Sequence, residues 1–389
     1  MSIAPEDDKI DWLSAGAAIA SISVVGICIG LGMPLLSVIL EQRGYSATMI
    51  GLNTAFAGLA SIGAAPFAAP LASRLGVVPA MIAMIILGGF SFAGFYLFEP
   101  FWAWLLLRCS LHFALTVLFI LSEYWISHSA PSRYRGLMLG IYATMLSLGF
   151  ALGPYIFSLT GSKGFLPFGL ACAIISLAIV PVVVAWRHSP DFEDEEHVPF
   201  LPYVLKVPTA TAAVLVYGAV ETGGFALLPL YGSRIGYSEA DTALLMTMIG
   251  IGNVVFQIPI GMLSDRVRDR RWVLLTVAVF GLGGMILMPY AASSWWLLAG
   301  LLFVWGGMIA GLYTVGLAHL GSKLSGRELA SANAAFIFCY AIGMLVGPQA
   351  IGLGMDLTGP HGFAGVLAGF FAGYLLLAIY RIAFSNKRG

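Results

Sequence analysis

The stretch 13-LSAGAAIASISVVGICIGLGMPLLSVIL-40 carries no acidic or basic side chain and is flanked by Asp11 and Glu41. A bilayer core is about 30 Å thick, and about 20 apolar residues of helix cross it. The run is long enough to cross, and comparable runs recur to the end of the chain, leaving few residues for loops. Hydrophobic residues make up 59% of the sequence and charged residues 10%, where a soluble domain carries about 25% charged residues. With a mean hydropathy of +0.92, most of this surface suits lipid rather than water. Twelve spanning helices are predicted, over roughly 13–40, 47–73, 78–98, 101–126, 136–160, 165–186, 208–233, 240–263, 272–291, 295–319, 329–355 and 362–384.

Trp12, Trp102, Trp104, Trp125, Trp186, Trp272, Trp295 and Trp296 lie at or near predicted helix ends, as an interfacial aromatic belt requires. The ninth tryptophan, Trp305, lies mid-helix. If both termini are cytoplasmic, fifteen of the nineteen Lys and Arg side chains fall on that side. Arg43, Lys163 and Arg234 fall opposite, and Arg108 lies inside a helix. That asymmetry fits the positive-inside rule and predicts a multi-pass protein of the cytoplasmic (inner) membrane. The N-terminus, 1-MSIAPEDDKIDW-12, is acidic. It lacks the basic region and small-residue cleavage pattern of a signal peptide, so the first helix is expected to be retained. A net charge of zero gives no reason to expect a nucleic-acid partner. The cysteines Cys28, Cys109, Cys172 and Cys339 sit in apolar runs without CxxC spacing, which predicts four packing residues and no metal site.

The longest polar stretch, 187-RHSPDFEDEEHVPFLPYVLK-206, is rich in acids and prolines and reads as a linker. The segments on either side of it are related. Gly44-Tyr45-Ser46 recurs as Gly236-Tyr237-Ser238, and Leu71-Ala72-Ser73-Arg74 recurs as Leu263-Ser264-Asp265-Arg266, both at an offset of 192. Gly149-xxx-Gly153-Pro154 recurs as Gly343-xxx-Gly347-Pro348 at an offset of 194. Three matches in order at nearly one offset predict a duplication, and duplicated membrane halves commonly enclose a midplane binding site.

The segment 261-GMLSDRVRDRR-271 resembles the loop signature of the major facilitator superfamily, Gly-x-Leu-x-Asp-Arg-x-x-x-Arg-Arg/Lys. Twelve helices, the repeat and the central linker fit that family along the whole chain. Within it, 122-SEYWI-126, the Glu221 helix with 228-LPLYGSRIGYSE-239, and 260-IGMLSDR-266 resemble the poorly characterised YcaD-like branch. The resemblance implies an all-α membrane protein of two pseudo-symmetric six-helix bundles, the major facilitator fold. Residues 1–186 would form the N-terminal bundle, 187–207 a cytoplasmic linker and 208–389 the C-terminal bundle.

In the family the signature loop latches one conformational state. Gly261, Asp265, Arg266, Arg270 and Arg271 would supply the latch here, with Asp265 placed to cap a neighbouring helix and pair with basic loop residues. The alternative is that these arginines only anchor topology. The first copy departs from the pattern, with Ala69, Ser73, Val77 and Val78 at the signature positions, which weakens any latch there. Gly149, Gly153 and Pro154 resemble the family's antiporter motif on the fifth helix, without its trailing glycines. Gly343, Gly347 and Pro348 repeat the motif, which also fits plain close packing of helices.

Arg108, His112, Thr116, Phe119 and Glu123 fall on one face of the fourth helix, at about 100° per residue. Ionisable groups at membrane depth usually face a cavity or a partner. In the family the fourth helix lines the central cavity, and an arginine placed like Arg108 belongs to a proton-coupling motif, although His112 stands where glycine is usual. For His112 the readings are proton relay or satisfied packing residue. For Glu123 they are coupling, or a gate pair with Arg133 or Arg135. Glu221, mid-way along the seventh helix with Tyr217 one turn before it, is expected to be protonated or paired, and is the first choice for proton carrier or substrate ligand. A fixed bond that locks helices together is its alternative. Trp305 and Tyr313 on the tenth helix could form an aromatic wall for an organic solute, or simply pack. Asn53, Asn253 and Gln257 read as interhelical hydrogen-bonding residues.

Catalytic constellations at membrane depth are missing from the sequence. There is no HExxH, GxSxG or Walker-type loop, and 352-GLGMD-356 misses a GxGD pattern by one residue. No pore-lining ring or filter sequence points to a channel. The chain is therefore expected to be a secondary active transporter and not an enzyme, working as a monomer without a cofactor. It would move a small organic solute by alternating access, coupled to protons, with export or antiport favoured over uptake of a sugar or metabolite by symport. A membrane enzyme or a non-transporting receptor is the alternative from another class. Few charges among aromatic and small apolar residues favour an amphipathic or weakly charged solute over a polyanion.

Overall fold

A computed structural model describes residues 10–131, 133–190, 200–324 and 326–385. Lys9, residues 191–199 of the predicted linker, Lys387 and Arg388 lie outside the described residues, as do the side chains of Arg135 and Arg327. Among the described residues all regular structure is helical. Twelve helical segments are long and apolar enough to span: Trp12–Gln42, Ala47–Leu75, Val77–Leu97, Phe101–Ser129, Leu137–Thr160, Leu166–Val184, Pro208–Arg234, Glu239–Arg266, Arg270–Ala291, Trp295–Gly321, Ser331–Thr358 and Gly362–Ala383. A helix keeps most of its backbone polar groups bonded within itself, the condition that hydrocarbon imposes.

Two spans are broken. The sixth stops at Leu177 and resumes at Ile179, with Ala178 at φ −64°, ψ −20°. Pro181 has no N–H to offer the Leu177 carbonyl four residues back, so the ladder loses a rung there. The tenth breaks at Ala310, at φ −56°, ψ −25°, immediately before Gly311.

The repeated Gly-Tyr-Ser triplet is a helix stop followed by a helix start. Gly44 and Gly236 adopt φ of +83° and +96°, a region open to glycine at little cost. At the first copy Tyr45 N–H donates to the Leu40 carbonyl and Gly44 N–H to that of Glu41. At the second, Tyr237 donates to Gly232 and Gly236 to Ser233. These paired bonds are the Schellman closure of a helix C-terminus. The serine then opens the next helix: Ser46 Oγ accepts from Met49 N–H at 3.3 Å and Ser238 Oγ from Asp241 N–H at 3.1 Å, as N-caps do.

The chain falls into two compact units, one holding 10–32, 60–153 and 163–190, the other 33–59, 154–162 and 200–385. In the first, Gly149 and Gly153 lie against the backbone of the first span. A Cβ at Gly149 would come within 2.8 Å of Ser23 O and Ile27 N. In the second, Gly343 meets Leu215 O and Ala219 N, and Gly347 meets the backbone of Ala219. The offset of 192 carries Ser23 and Ile27 onto Leu215 and Ala219, so the duplication survives as an atom-level packing register. Gly26 against Leu146 O likewise repeats as Gly218 against Tyr340 O. Pro154 and Pro348 both lie inside continuous helices.

The second unit also gathers the ends of the first, second and fifth spans through one polar network. Asp356 accepts from Ala47 N–H (3.1 Å), Thr48 N–H (2.8 Å) and Thr48 Oγ1 (2.6 Å). Arg234 reaches Glu41 at 3.3 Å and Asp356 at 3.8 Å. Glu239 accepts from Gln42 (2.7 Å) and from Ser162 Oγ (3.0 Å). Of the predicted linker, Leu201–Lys206 is a short helix. Its Tyr203 and Val204 pack on the buried cluster of Ala210, Val214, Phe336 and Cys339. Trp104 and Trp125 are not interfacial but fully buried, and the Trp104 indole donates to Phe98 O at 2.6 Å.

Candidate functional site

Between Thr209 and Gly232 the seventh span is buried except at Ala212, Leu215 and Glu221. The accessible acid therefore stands out on an otherwise enclosed helix. Its two oxygens are both occupied: Tyr217 OH donates to Oε1 at 2.7 Å and Tyr340 OH to Oε2 at 2.6 Å. Tyr217 is one turn away on the same helix, where i and i+4 side chains meet. Tyr340 comes from the eleventh span, held close because Gly218 leaves room for its backbone and ring. Tyr313 of the tenth span completes the group: the ring centroids of Tyr217, Tyr313 and Tyr340 stand 5.8, 6.1 and 6.2 Å apart, and Phe336 backs Tyr313 at 5.3 Å.

Trp305, read as either an aromatic wall with Tyr313 or a packing residue, takes the second role. It is buried, its Nε1 donates to Gly281 O at 3.1 Å and its ring meets Phe371 edge-on. The ring fills the space that Gly284 leaves open, which makes it a packing residue of the ninth, tenth and twelfth spans. Tyr340 was not anticipated. The signal lay in the repeat, because the offset of 194 sets this polar residue against Leu146.

In the first unit the fourth-span stripe grades from buried to open. Arg108 and His112 are buried, Thr116 is half-buried and Glu123 exposed. His112 Nδ1 faces the Arg108 carbonyl at 3.3 Å, and its buried Nε2 has no partner among the described residues. Thr116 Oγ1 bonds Ser61 Oγ at 2.9 Å. The Arg133 guanidinium lies 5.4 Å from the Tyr134 ring.

The signature loop is locally self-contained. Asp265 pairs with Arg270 at 2.9 Å and is largely exposed. The ninth span is capped by Asp269, which accepts from Arg271 N–H at 3.0 Å and pairs with the Arg271 guanidinium at 2.6 Å. The Arg271 bonds hold the Asp269 carboxyl below the usual carboxylate range against the opposing effect of its partial burial. Arg266 is exposed, and a Cβ at Gly261 would meet open space. Among the described residues no group of His, Cys, Asp and Glu could hold a metal ion.

Twelve apolar spans, one of them carrying a tyrosine-held carboxylate at mid-span, describe a polytopic membrane protein. Residues 18–248 and again 209–388 match the Major Facilitator Superfamily, and the chain belongs to that family of secondary transporters. It is 28% identical to YfkF of Bacillus subtilis (strain 168), an uncharacterized MFS-type transporter, over 85% of this chain and 86% of the relative. It is 27% identical to the likewise uncharacterized YcaD of Escherichia fergusonii over 66% of each chain. The fold is shared with the nucleoside transporter NupG, at a TM-score of 0.77 and 13% identity over 94% of this chain and 99% of that one. A bacterial homolog of the human lysosomal transporter Spinster, crystallised inward-facing and unoccupied, gives a TM-score of 0.69 and 14% identity over 94% and 92%.

Proposed function

We propose that this transporter moves a small organic solute by alternating access and couples that movement to protons through Glu221, with export or antiport as its direction. The observation that carries the reading is the half-buried acid at the centre of a buried span, held on both oxygens by Tyr217 and Tyr340. An ionisable group at that depth is expensive to keep and is ordinarily retained for ion movement. Arg108, His112 and Glu123 form a second polar path on the fourth span, graded from buried to open. Asp265 with Arg270, beside Gly261, Arg266 and Arg271, acts as the latch that rearranges on switching. The working molecule is a monomer of two six-helix halves, 1–186 and 208–389, joined by 187–207, in the cytoplasmic membrane with both termini on the cytoplasmic side. The Lys and Arg distribution supports that orientation.

The test uses proteoliposomes loaded with a pH-sensitive dye and a solute panel scored for solute-dependent proton movement. Glu221→Gln is expected to abolish solute-driven proton movement. Proton movement equal to wild type in that variant would sink the assignment.

A further inference from the structure

Resting on the reading of Glu221 as the working centre, the surrounding side chains also name a class of solute. Every Lys and Arg between 208 and 385 falls at a span end or in a loop. Among the described residues no ion pair reaches Glu221, whose partners are tyrosine hydroxyls. Both Glu221 oxygens are thus held by neutral phenol groups rather than by a cation.

What stands opposite is aromatic. The centroids of Tyr217, Tyr313 and Tyr340 form a nearly equilateral triangle, with sides of 5.8 to 6.2 Å. The Tyr217 and Tyr340 rings lie 29° from parallel, with Tyr313 inclined to them at 51° and 78°, and a cation a few ångströms from the three centroids would lie within about 6 Å of each, the range of cation–ring attraction. Tyr313 and Tyr340, like Glu221, keep accessible surface.

The duplication shows that packing does not require this cluster. The offsets that reproduce the backbone contacts set Tyr217, Glu221 and Tyr340 against Val25, Ile29 and Leu146. One copy of the frame is built with three apolar side chains where the other carries two phenols and a carboxylate.

We propose that Glu221, Tyr217, Tyr313 and Tyr340 form the binding site of an organic monocation, an amine or quaternary ammonium group. The carboxylate supplies the opposite charge and the three rings replace the water the cation leaves behind. Tyr313 is the most informative position, because the hydrogen bonds to the two Glu221 oxygens come from Tyr217 and Tyr340.

The full-length protein, purified in detergent, would be titrated calorimetrically with tetraethylammonium, benzyltrimethylammonium and tetraphenylphosphonium. The uncharged analogue of benzyltrimethylammonium, with carbon in place of nitrogen, is the control. At least one cation should bind saturably, and the analogue should bind at least about tenfold more weakly than its cation. Tyr313→Leu should weaken the cation between about threefold and thirtyfold, and Tyr313→Phe should restore most of that loss. Thermal unfolding verifies that both variants are folded. Absence of saturable binding by all three cations, equal binding of the uncharged analogue, or unchanged affinity in Tyr313→Leu would each overturn the assignment. If Glu221→Gln abolishes solute-driven proton movement while no cation binds, this inference falls and the coupling reading stands. If cations bind as described and that variant still couples protons normally, the coupling reading falls and the cation site stands.

Discussion

Replacing Gly347 by alanine places a methyl group inside the backbone of Ala219. An added Cβ there overlaps the Ala219 Cα, carbonyl carbon and carbonyl oxygen. All of these are backbone atoms, which cannot rotate aside as a side chain would. The seventh and eleventh spans must part by about 1 Å to restore ordinary contact, and overpacking of this kind costs about 1–3 kcal/mol; a rigid neighbour puts it near 3 kcal/mol. The parting also acts on the site. Tyr340 lies two turns before Gly347, and its 2.6 Å bond to Glu221 stretched by that amount is no longer a hydrogen bond. Losing a bond to a charged acceptor adds about 1.5–3 kcal/mol. Gly283→Ala, where nothing lies within 4 Å of the added Cβ, serves as control and should stay within about 0.5 kcal/mol of wild type. Unfolding in mixed micelles of increasing SDS fraction reads both. If Gly347→Ala unfolds with the control, the close approach of these two spans does not carry the load argued for it.

Three further outcomes follow from the same geometry. Tyr340→Phe keeps the ring and removes one donor from Glu221, so it should destabilise by about 1–3 kcal/mol, measured in the same micelle series. Asp269 has its carboxyl held low by Arg271, so its contribution is present above its unfolded pKa of about 3.9 and is lost as pH falls through the lower folded value. Asp269→Asn should therefore flatten the acid limb of stability against pH and leave the shape near neutral pH unchanged. Asp356→Ala strips the cap from the second span, worth about 1 kcal/mol; the 3.8 Å contact to Arg234 adds little, so Arg234→Ala should cost visibly less in thermal unfolding.

The spans were legible because a bilayer demands long apolar runs, and hydropathy registers those directly. Azimuth was less so. Trp104 and Trp125 sit at the height along their helices that an interface would suit, yet both point inward, and position along a helix does not state its facing. Spacing did place Arg108, His112, Thr116 and Glu123 on one face, and their exposure grades along it. Glu221 announced itself as a charge in an apolar run, whereas its partner Tyr340 is 119 residues away and amphipathic enough to pass as packing. Trp305 stayed open between wall and packing for the same reason: a mid-span indole satisfied by one carbonyl looks, in sequence, like one waiting for a solute. The Asp356 network had no signal in the sequence, because its bonds join segments as much as 309 residues apart. The tenth-span break at Ala310 has Gly311 as its one local signal, and glycine is common throughout these helices.

The Gly-Tyr-Ser closures have a consequence for the membrane itself. A span that simply runs out of apolar residues can fray or extend by a turn to suit a thinner or thicker bilayer. The first and seventh spans end instead on a glycine at positive φ, closed by paired backbone bonds, and a serine cap starts the next helix at once. Their length at that end is written into hydrogen bonds rather than set by lipid. When hydrocarbon thickness departs from the match, the remaining adjustments are helix tilt and local deformation of the bilayer. Reconstitution into lipids of graded acyl length should therefore alter activity while helix content holds constant.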